Sequence, residues 1–428
     1  MYEVQSDNFD SWYKLRGYIH FDYKVSEKFA QSYITNPEKV ESHPFLPFLK
    51  YIKSTPRYKS IENKTIHKER PILYASHLDS HIYSWYARQL RESYEEFIAK
   101  HALSNCVLAY RALGKCNIDF AKDVFNEVEQ RESCTALAFD LSSFFDSIDH
   151  AKLKSAWCEV LGSEQLPKDH YKIYRSITKY AYLDRNTVFK ELKIDNYKEV
   201  EKQGRICSSK EFRERLRAKI KTNHNSYGIP QGSPISAILS NIFLIDFDRI
   251  MSKYALEVDG IYRRYCDDIL WICPSEKTEE VKNLVQEEIK KCGGGLLPNP
   301  EKTEVSEFRR TTGGLLIGSP PLQYLGFTFD GQNRLLRSQT MSRYHRRMKR
   351  AVHSAGRAAF QAQDCKIHCQ ELYEQYSHLG QHNFIKYALR ASENMGSQKI
   401  RRQVRNHWKQ LHKEIAQVET QLKTRLED

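Results

Sequence analysis

The chain has 428 residues, 40% hydrophobic and 28% charged, with a formal net charge of +13 and a mean hydropathy of −0.66. That length admits two or three domains or subdomains with a sizeable core, and the basic surplus favours polyanion partners, chiefly nucleic acid. No apolar run reaches the ~18 residues of a membrane span, and the start of the chain lacks a basic segment followed by an apolar one, so no membrane partner and a cytoplasmic location are expected. The ten cysteines are scattered without a CxxC framework, which suits free thiols in a reducing compartment. Cys365, His368 and Cys369 have the spacing of a metal half-site but lack a second half, and read better as helix packing.

In chain order, residues 1–60 are aromatic-rich without clear periodicity and read as an N-terminal extension. Residues 68–74 read as a strand entered from a basic loop. Leu78, Ile82, Trp85, Tyr86, Leu90, Tyr94 and Phe97 recur at helical spacing, predicting a long helix over 76–102. Residues 135–141 form a short apolar strand run with Asp140 at its end, and 142–157 turn into a helix. Residues 184–226 are polar and charged, with helical spacing over 211–220, and are expected to be a surface insertion. One long helix is expected over 233–251, opened by Pro234 near its first turn. Residues 261–271 read as two strands around a tight turn. An amphipathic helix over 277–292 stops at Gly293, Gly294 and Gly295. Residues 320–329 are strand-rich, and from about 342 the chain is helical and basic. This order predicts an α+β fold: a split βαββαβ-like domain followed by helices.

The chemistry concentrates at Tyr265-Cys266-Asp267-Asp268. Two adjacent carboxylates flanked by apolar residues repel each other unless cations hold them, and Mg²⁺ prefers carboxylate oxygens while leaving room for phosphate. Asp140 at a strand end is the natural third carboxylate. Three such groups need compensating charge, which two Mg²⁺ ions about 3.5–4 Å apart would supply for in-line phosphoryl transfer. Alone, Asp140 would read as a helix N-cap. Between the two acidic sites lies Gly228-Ile229-Pro230-Gln231-Gly232-Ser233-Pro234. Its glycines allow close backbone approach and the following helix offers amide donors, while Ser233, Ser236, Ala237 and Ser240 are small enough for nucleic acid to lie against. Basic runs over 337–350 and 399–413 suit phosphate contact.

Together and in this order, these motifs resemble those of reverse transcriptases. Residues 139–149 (FDLSSFFDSID) look like the family's first palm motif, 228–244 (GIPQGSPISAILSNIFL) like the second and 265–268 (YCDD) like the third. Residues 299–303 (NPEKT) and 324–327 (YLGF) look like the fourth and the primer grip. The resemblance covers roughly 60–335 and implies a right-hand polymerase: fingers over 61–135 with part of 150–226, a palm over 136–335 with an insertion near 184–226, and a helical basic thumb over 336–428. It implies Asp140 and Asp267 as main metal ligands, with Asp268 assisting and the Leu141 carbonyl as an extra ligand for two Mg²⁺ ions (Mn²⁺ as substitute). Lys302 would protonate pyrophosphate. Lys68, Arg70 and Arg111 would reach the triphosphate, Gln231 would line the nucleotide pocket, and Phe145 would be the steric gate that selects dNTPs, although core packing explains Phe145 equally. Gly232, Ser233, Tyr324 and Gly326 would touch primer or template, and Arg346, Arg347, Lys349 and Arg350 would track the duplex, with Tyr344 and His345 among them.

With Cys266 in the turn, no Val-Thr-Gly signature and no room for an RNase H or integrase domain after the thumb, the chain resembles compact bacterial reverse transcriptases of the unknown groups. Among these it is similar to the second class of defence-associated enzymes. That similarity implies a structured non-coding RNA as template and cDNA as product. Three other readings remain open: a template-independent or protein-primed DNA polymerase, given 26 tyrosines; an RNA-dependent RNA polymerase, disfavoured by Phe145; and a catalytically silent RNA-binding scaffold. Nothing in the residues fixes an oligomeric state.

Overall fold

The computed structural model describes residues 12–59, 64–299 and 302–427. Helices α1 (Glu27–Ile34) and α2 (Pro37–Glu41) lead into strand β1 (Phe48–Lys59), which pairs antiparallel with β2 (Lys64–Tyr74). The extension expected over 1–60 therefore ends inside a hairpin and supplies one of its strands; residues 1–11 and 60 lie outside the described residues. Helix α3 (His77–Lys100) is capped by the Ser76 hydroxyl, which accepts from the Asp79 amide, and it buries the apolar stripe Ile82, Tyr86, Leu90, Tyr94 and Ile98. Next come α4 (Asn117–Glu129), β3 (Ser133–Asp140), α5 (His150–Leu161) and α6 (Lys168–Thr178).

The segment expected as a surface insertion is a packed unit. Strand β4 (Ala181–Asp184) pairs parallel with β1, helices α7 (Arg185–Leu192), α8 (Tyr197–Gln203) and α9 (Ser209–Glu211) follow, and β5 (Lys221–Thr222) completes a sheet ordered β2-β1-β4-β5. Val188, Val200, Ile206 and Leu216 share a small core with Ile19, Phe21, Leu49 and Leu183. The helical spacing expected over 211–220 is met by a continuous run of mixed geometry, α9 passing into a π segment (Phe212–Leu216) and a 3₁₀ turn (Arg217–Lys219). Phe212, Leu216 and Ile220, spaced four apart, turn toward that core.

The single helix expected over 233–251 is two, α10 (Ser236–Phe243) and α11 (Ile245–Glu257), broken at Leu244. Phe243, Leu244 and Ile245 are consecutive and all buried, and the break turns all three into the core. Strands β6 (Ile261–Tyr265) and β7 (Asp268–Cys273), helix α12 (Thr278–Lys291), β8 (Glu304–Arg310) and β9 (Leu316–Ser319) complete an antiparallel sheet ordered β6-β7-β3-β8-β9. The path β3, helices, β6, β7, α12, β8 is the split βαββαβ arrangement. A second antiparallel sheet joins β10 (Leu322–Tyr324), β11 (Phe327–Phe329) and β12 (Arg334–Leu336). Helices α13 (Ser338–Gln361), α14 (Gln370–Tyr376), α15 (Phe384–Asn394), α16 (Gln398–Val404) and α17 (His407–Glu427) end the described chain.

Side chains alternate along a strand, and here both faces of the central sheet are covered. Leu137, Phe139, Ile269 and Trp271 pack with α3, α5, α10, α11 and α12. Ala136, Leu270, Ile272 and Phe308 pack on the other side with α4, β10–β12, α15 and α16. The region expected as one thumb thus divides. Its α15 and α16 belong to this second core, whereas Met348, Val352 and Ala359 of α13 pack with α14 and α17 in a core of their own. Gly356 sets that approach, since a Cβ there would stand 2.5 Å from Val418 Cγ1. Among the described residues no helix is long and apolar enough to cross a membrane.

Candidate active site

The alternation that builds the sheet also places the carboxylates. Asp140 shares the parity of Ala136 and Asp268 that of Leu270, so both lie on the face turned toward β10–β12. They are register partners across β3 and β7, where neighbouring Cβ atoms come within ~5.5 Å. Asp267 sits in the two-residue turn between the paired Tyr265 and Asp268. Cys266 takes φ +61° there, the left-handed conformation such turns need. The Leu141 amide donates to the Asp267 carbonyl at 3.1 Å, which stitches the turn to the end of β3. The Leu141 side chain is buried.

Three carboxylates at one sheet end show their repulsion. Crowding by protein atoms, then the Asp267 and Asp140 charges, push Asp268 up to about 7, with Lys302 and Arg337 opposing, although Asp268 keeps an exposed face. Lys302 Nζ pairs with Asp140 Oδ2. The backbone brings it there: the Asn299 amide donates to the Asp140 carbonyl at 2.7 Å and the Lys302 amide to the Asn299 carbonyl at 3.0 Å. Pro300 and Glu301 of the same motif lie outside the described residues. An all-oxygen donor set with excess negative charge fits Mg²⁺. Among the described residues no three His, Cys, Asp or Glu side chains form a ready metal group; Asp140 is paired with Lys302 instead.

The turn is anchored from behind by Arg264, which the sequence reading passed over. Its side chain and that of Asp248 are both 0% exposed and form a bidentate pair at 2.6 and 2.7 Å. Nη1 of Arg264 also donates to the Asn241 side chain at 3.1 Å and to the Cys266 carbonyl at 3.2 Å. Asn241 in turn donates to the Ala109 carbonyl at 2.9 Å. A buried arginine beside a two-aspartate turn was the available signal, because a charge deep in an apolar strand requires a partner.

The side of the site expected to take the nucleotide is assembled by backbone pairing. The Ile229 amide donates to the Phe145 carbonyl at 2.9 Å and the Gly228 amide to the Ile148 carbonyl at 2.8 Å, so the second motif runs beside the turn that carries Phe145. Phe145 is half-buried, its ring 5.6 Å from that of Phe144. The Leu73 amide donates to the Gln231 carbonyl at 2.9 Å. Gly232 has φ +121°, and a Cβ there would stand 2.7 Å from the Leu73 carbonyl oxygen and 3.1 Å from Ile72 Cγ2; only glycine permits that approach. Ile72 shares its face of β2 with Arg70 and Lys68. The face bearing these two bases is therefore the one that meets Gly232. Arg70 is exposed and Lys68 half-buried.

Several expected contacts are corrected. Arg111 is buried and spent on structure, with a bidentate pair to Glu95 at 2.7 and 2.8 Å and bonds to the Ser104 and Val107 carbonyls. Its motif reaches the site through the neighbouring Tyr110, whose hydroxyl donates to Cys266 Sγ at 3.3 Å; burial pushes the Cys266 thiol up to about 12 and keeps it neutral. Ser233 is buried, and so is Tyr324, which packs among β10–β12 rather than presenting a surface contact. What residues 324–327 do present is the turn Leu325-Gly326, both with positive φ between the paired Tyr324 and Phe327. The Gly326 carbonyl accepts from the Arg337 amide at 3.0 Å, bringing Arg337 to the carboxylates, a role sequence reading did not give it. On α13, Arg346, Arg347, Lys349 and Arg350 are all exposed, with Lys349 3.4 Å from Glu414.

The family described as reverse transcriptase (RNA-dependent DNA polymerase) matches residues 61–329, more than half of the chain. The chain belongs to the reverse transcriptase family. The domain is thus that of an RNA-directed DNA polymerase, a nucleotidyltransferase, and domains of this family use divalent metal ions. The match takes in Asp140, Asp267, Asp268 and Lys302 and ends before α13. Among solved structures the chain is similar to an apo telomerase from Candida tropicalis truncated at its C-terminal domain, at 12% identity and TM-score 0.45, covering 72% of this chain and 59% of that one. It is also similar to telomerase from Candida albicans in complex with a TWJ fragment of telomeric RNA, at 12% identity and TM-score 0.42, covering 94% and 64%. The reverse transcriptase here therefore spans about three-fifths of those telomerase chains. No curated protein matches the chain.

Proposed function

We propose that this reverse transcriptase copies a structured non-coding RNA into cDNA from dNTPs, in the setting of antiphage defence. The observation that carries the polymerase reading is the opposition of Asp140 and Asp268 across β3 and β7, with Asp267 on the turn between strands and Lys302 paired to Asp140. Two Mg²⁺ ions, or Mn²⁺, held by Asp140 and Asp267 with Asp268 and the Leu141 carbonyl as further ligands, would neutralise the triphosphate and lower the pKa of the primer 3′-hydroxyl. The protein's own groups do the rest. Lys68 and Arg70 receive the triphosphate on the face of β2 that meets Gly232. The Phe145 ring excludes a ribose 2′-hydroxyl. Lys302, held by Asp140, carries the proton that the departing pyrophosphate takes. The exposed bases of α13 hold the hybrid through its phosphates. The template and the defence setting are supported by the motif pattern, with Cys266 in the turn and no Val-Thr-Gly signature.

The test is purification from the native host with sequencing of co-purified RNA and DNA, beside an Asp267→Asn control. DNA complementary to one enriched RNA, reduced by about 10³-fold in the variant for several kcal/mol of lost charge stabilisation, is the expected result. DNA of untemplated composition would replace the templated reading with a template-independent or protein-primed one.

A further inference from the structure

The C-terminal helices carry a ring cluster that catalysis does not use. Trp408 and His412 are four residues apart on α17, so they share a face, and their rings lie 4.3 Å apart. Tyr373 of α14 approaches both, at 5.1 and 5.5 Å, stacked on His412 at 25°. His378 meets Trp408 at 5.4 Å and shares a 3.1 Å hydrogen bond with His407. His407 Nδ1 lies 2.7 Å from the Val404 carbonyl and must donate to it, so Nε2 is the acceptor and His378 the donor. His378 and His412 are exposed and Tyr373 and Trp408 half-buried. The rings therefore form a platform at the surface rather than a closed core. Exposed cations lie close to it in sequence: Arg401, Arg402 and Arg405 at α16 and Lys409 on α17. None of the four forms an ion pair among the described residues.

The platform lies on one flank of α17. The other flank faces α13 across a groove lined by His345, Lys349, Gln410, Lys413 and Glu414, next to the basic face proposed to hold the hybrid. We infer that the Tyr373, His378, Trp408 and His412 rings bind unpaired bases of single-stranded RNA, with the four cations on its phosphates. Flat rings beside uncommitted positive charge are the combination that holds unpaired strands without sequence choice. Charge complementarity selects a nucleic acid, and the proposed function, on which this inference rests, selects RNA: DNA made at the palm stays paired in the hybrid, and the uncopied template is the strand with free bases.

The test measures affinity of the full chain for a fluorescent single-stranded RNA of roughly 12 nucleotides, a length within the range of one single-strand site, and for a blunt RNA–DNA hybrid of the same sequence. Trp408→Leu, which keeps apolar contact with Tyr373, should weaken single-strand binding about ten-fold and His412→Ala a few-fold. The ratio of single-strand to hybrid affinity should fall in both. An unchanged ratio in both variants would make the rings packing between α14 and α17 and overturn the inference. If Trp408→Leu loses its fold, the exposed His412 decides alone. Equal binding and equal loss with single-stranded DNA would overturn the choice of RNA. Wild-type binding of hybrid without single strand would sink this site and leave the polymerase reading intact; binding of neither ligand would sink that reading itself.

Discussion

The palm turn and the first C-terminal helix use arginine in opposite ways. Arg264 is sealed from water, bidentate to Asp248 and bonded to the carbonyl of Cys266 beside Asp267 and Asp268. Arg346 and Arg350 of α13 stand in solvent. A buried charge is costly unless fully partnered, so its retention beside the turn is best understood as fixing position. An exposed charge costs little and interacts at long range, so a row of them supplies affinity without fixing geometry. Rate should therefore be sensitive to single changes behind the palm, and binding should respond gradually along α13.

The largest effect should come from breaking the buried pair. Arg264→Met leaves Asp248 uncompensated in the core and should cost about 3–5 kcal/mol of stability, read as a fall in thermal midpoint. The double variant Arg264→Met, Asp248→Leu removes both charges and should recover most of that loss. It should not recover polymerase turnover, because the Cys266 carbonyl has lost its donor. If the double variant regains both stability and turnover, the pair is only a core element and the contrast with α13 fails.

A buried group that the fold keeps uncharged sharpens the comparison. His20 is fully enclosed, with Phe21 and Tyr74 against its ring. Burial, then the neighbouring His77, hold it down to about 3; burial holds His81 down to about 4. The folded state keeps these rings neutral, whereas the unfolded chain protonates near 6.5. Below that value the unfolded state binds more protons, so stability is full above pH 6.5 and is lost as pH falls toward the folded values. For His20 alone the loss should reach about 2 kcal/mol by pH 5. Thermal midpoints at pH 7.5 and 5 should differ less in His20→Phe, which keeps a ring but cannot charge. An identical pH dependence in variant and wild type would place the acid sensitivity elsewhere.

These regions also show what the sequence made legible. The strand alternation around Asp140 and Asp268, the long α3 stripe and the order of motifs were readable because each is a local pattern with one geometric meaning. The structural bonds of Arg111 are not legible locally, because its partners, Glu95 and the Ser104 and Val107 carbonyls, are brought together only by the α3 C-terminus and the loop after it. Tyr324 was read as a contact because a motif names a residue without saying which side of a strand is covered. The break at Leu244 and the small core around Val188 and Leu216 depend on what packs against them. Arg264 is the instructive omission: its neighbours in sequence advertised the site, while its partner, Asp248, lies on a preceding helix.

The smallest effects should come from α13. Arg346 and Arg350 are four residues apart and share a face, and Lys349 is drawn toward Glu414 at 3.4 Å. Each arginine that contacts a phosphate should contribute about 0.7–0.9 to the slope of log affinity against log salt. Arg346→Ala and Arg350→Ala should each lower the slope by roughly that amount, with the double variant additive. Lys349→Ala should do less, because part of its charge is already answered. The loss should appear in the KM for primer–template rather than in kcat, since a phosphate contact held equally in ground and transition states binds without accelerating. A fall in kcat for Arg350→Ala at saturating primer–template would mean that α13 positions the hybrid against the carboxylates. The charges of this exposed helix would then belong with Arg264, and the division between fixing and holding would run through α13 itself rather than between it and the palm.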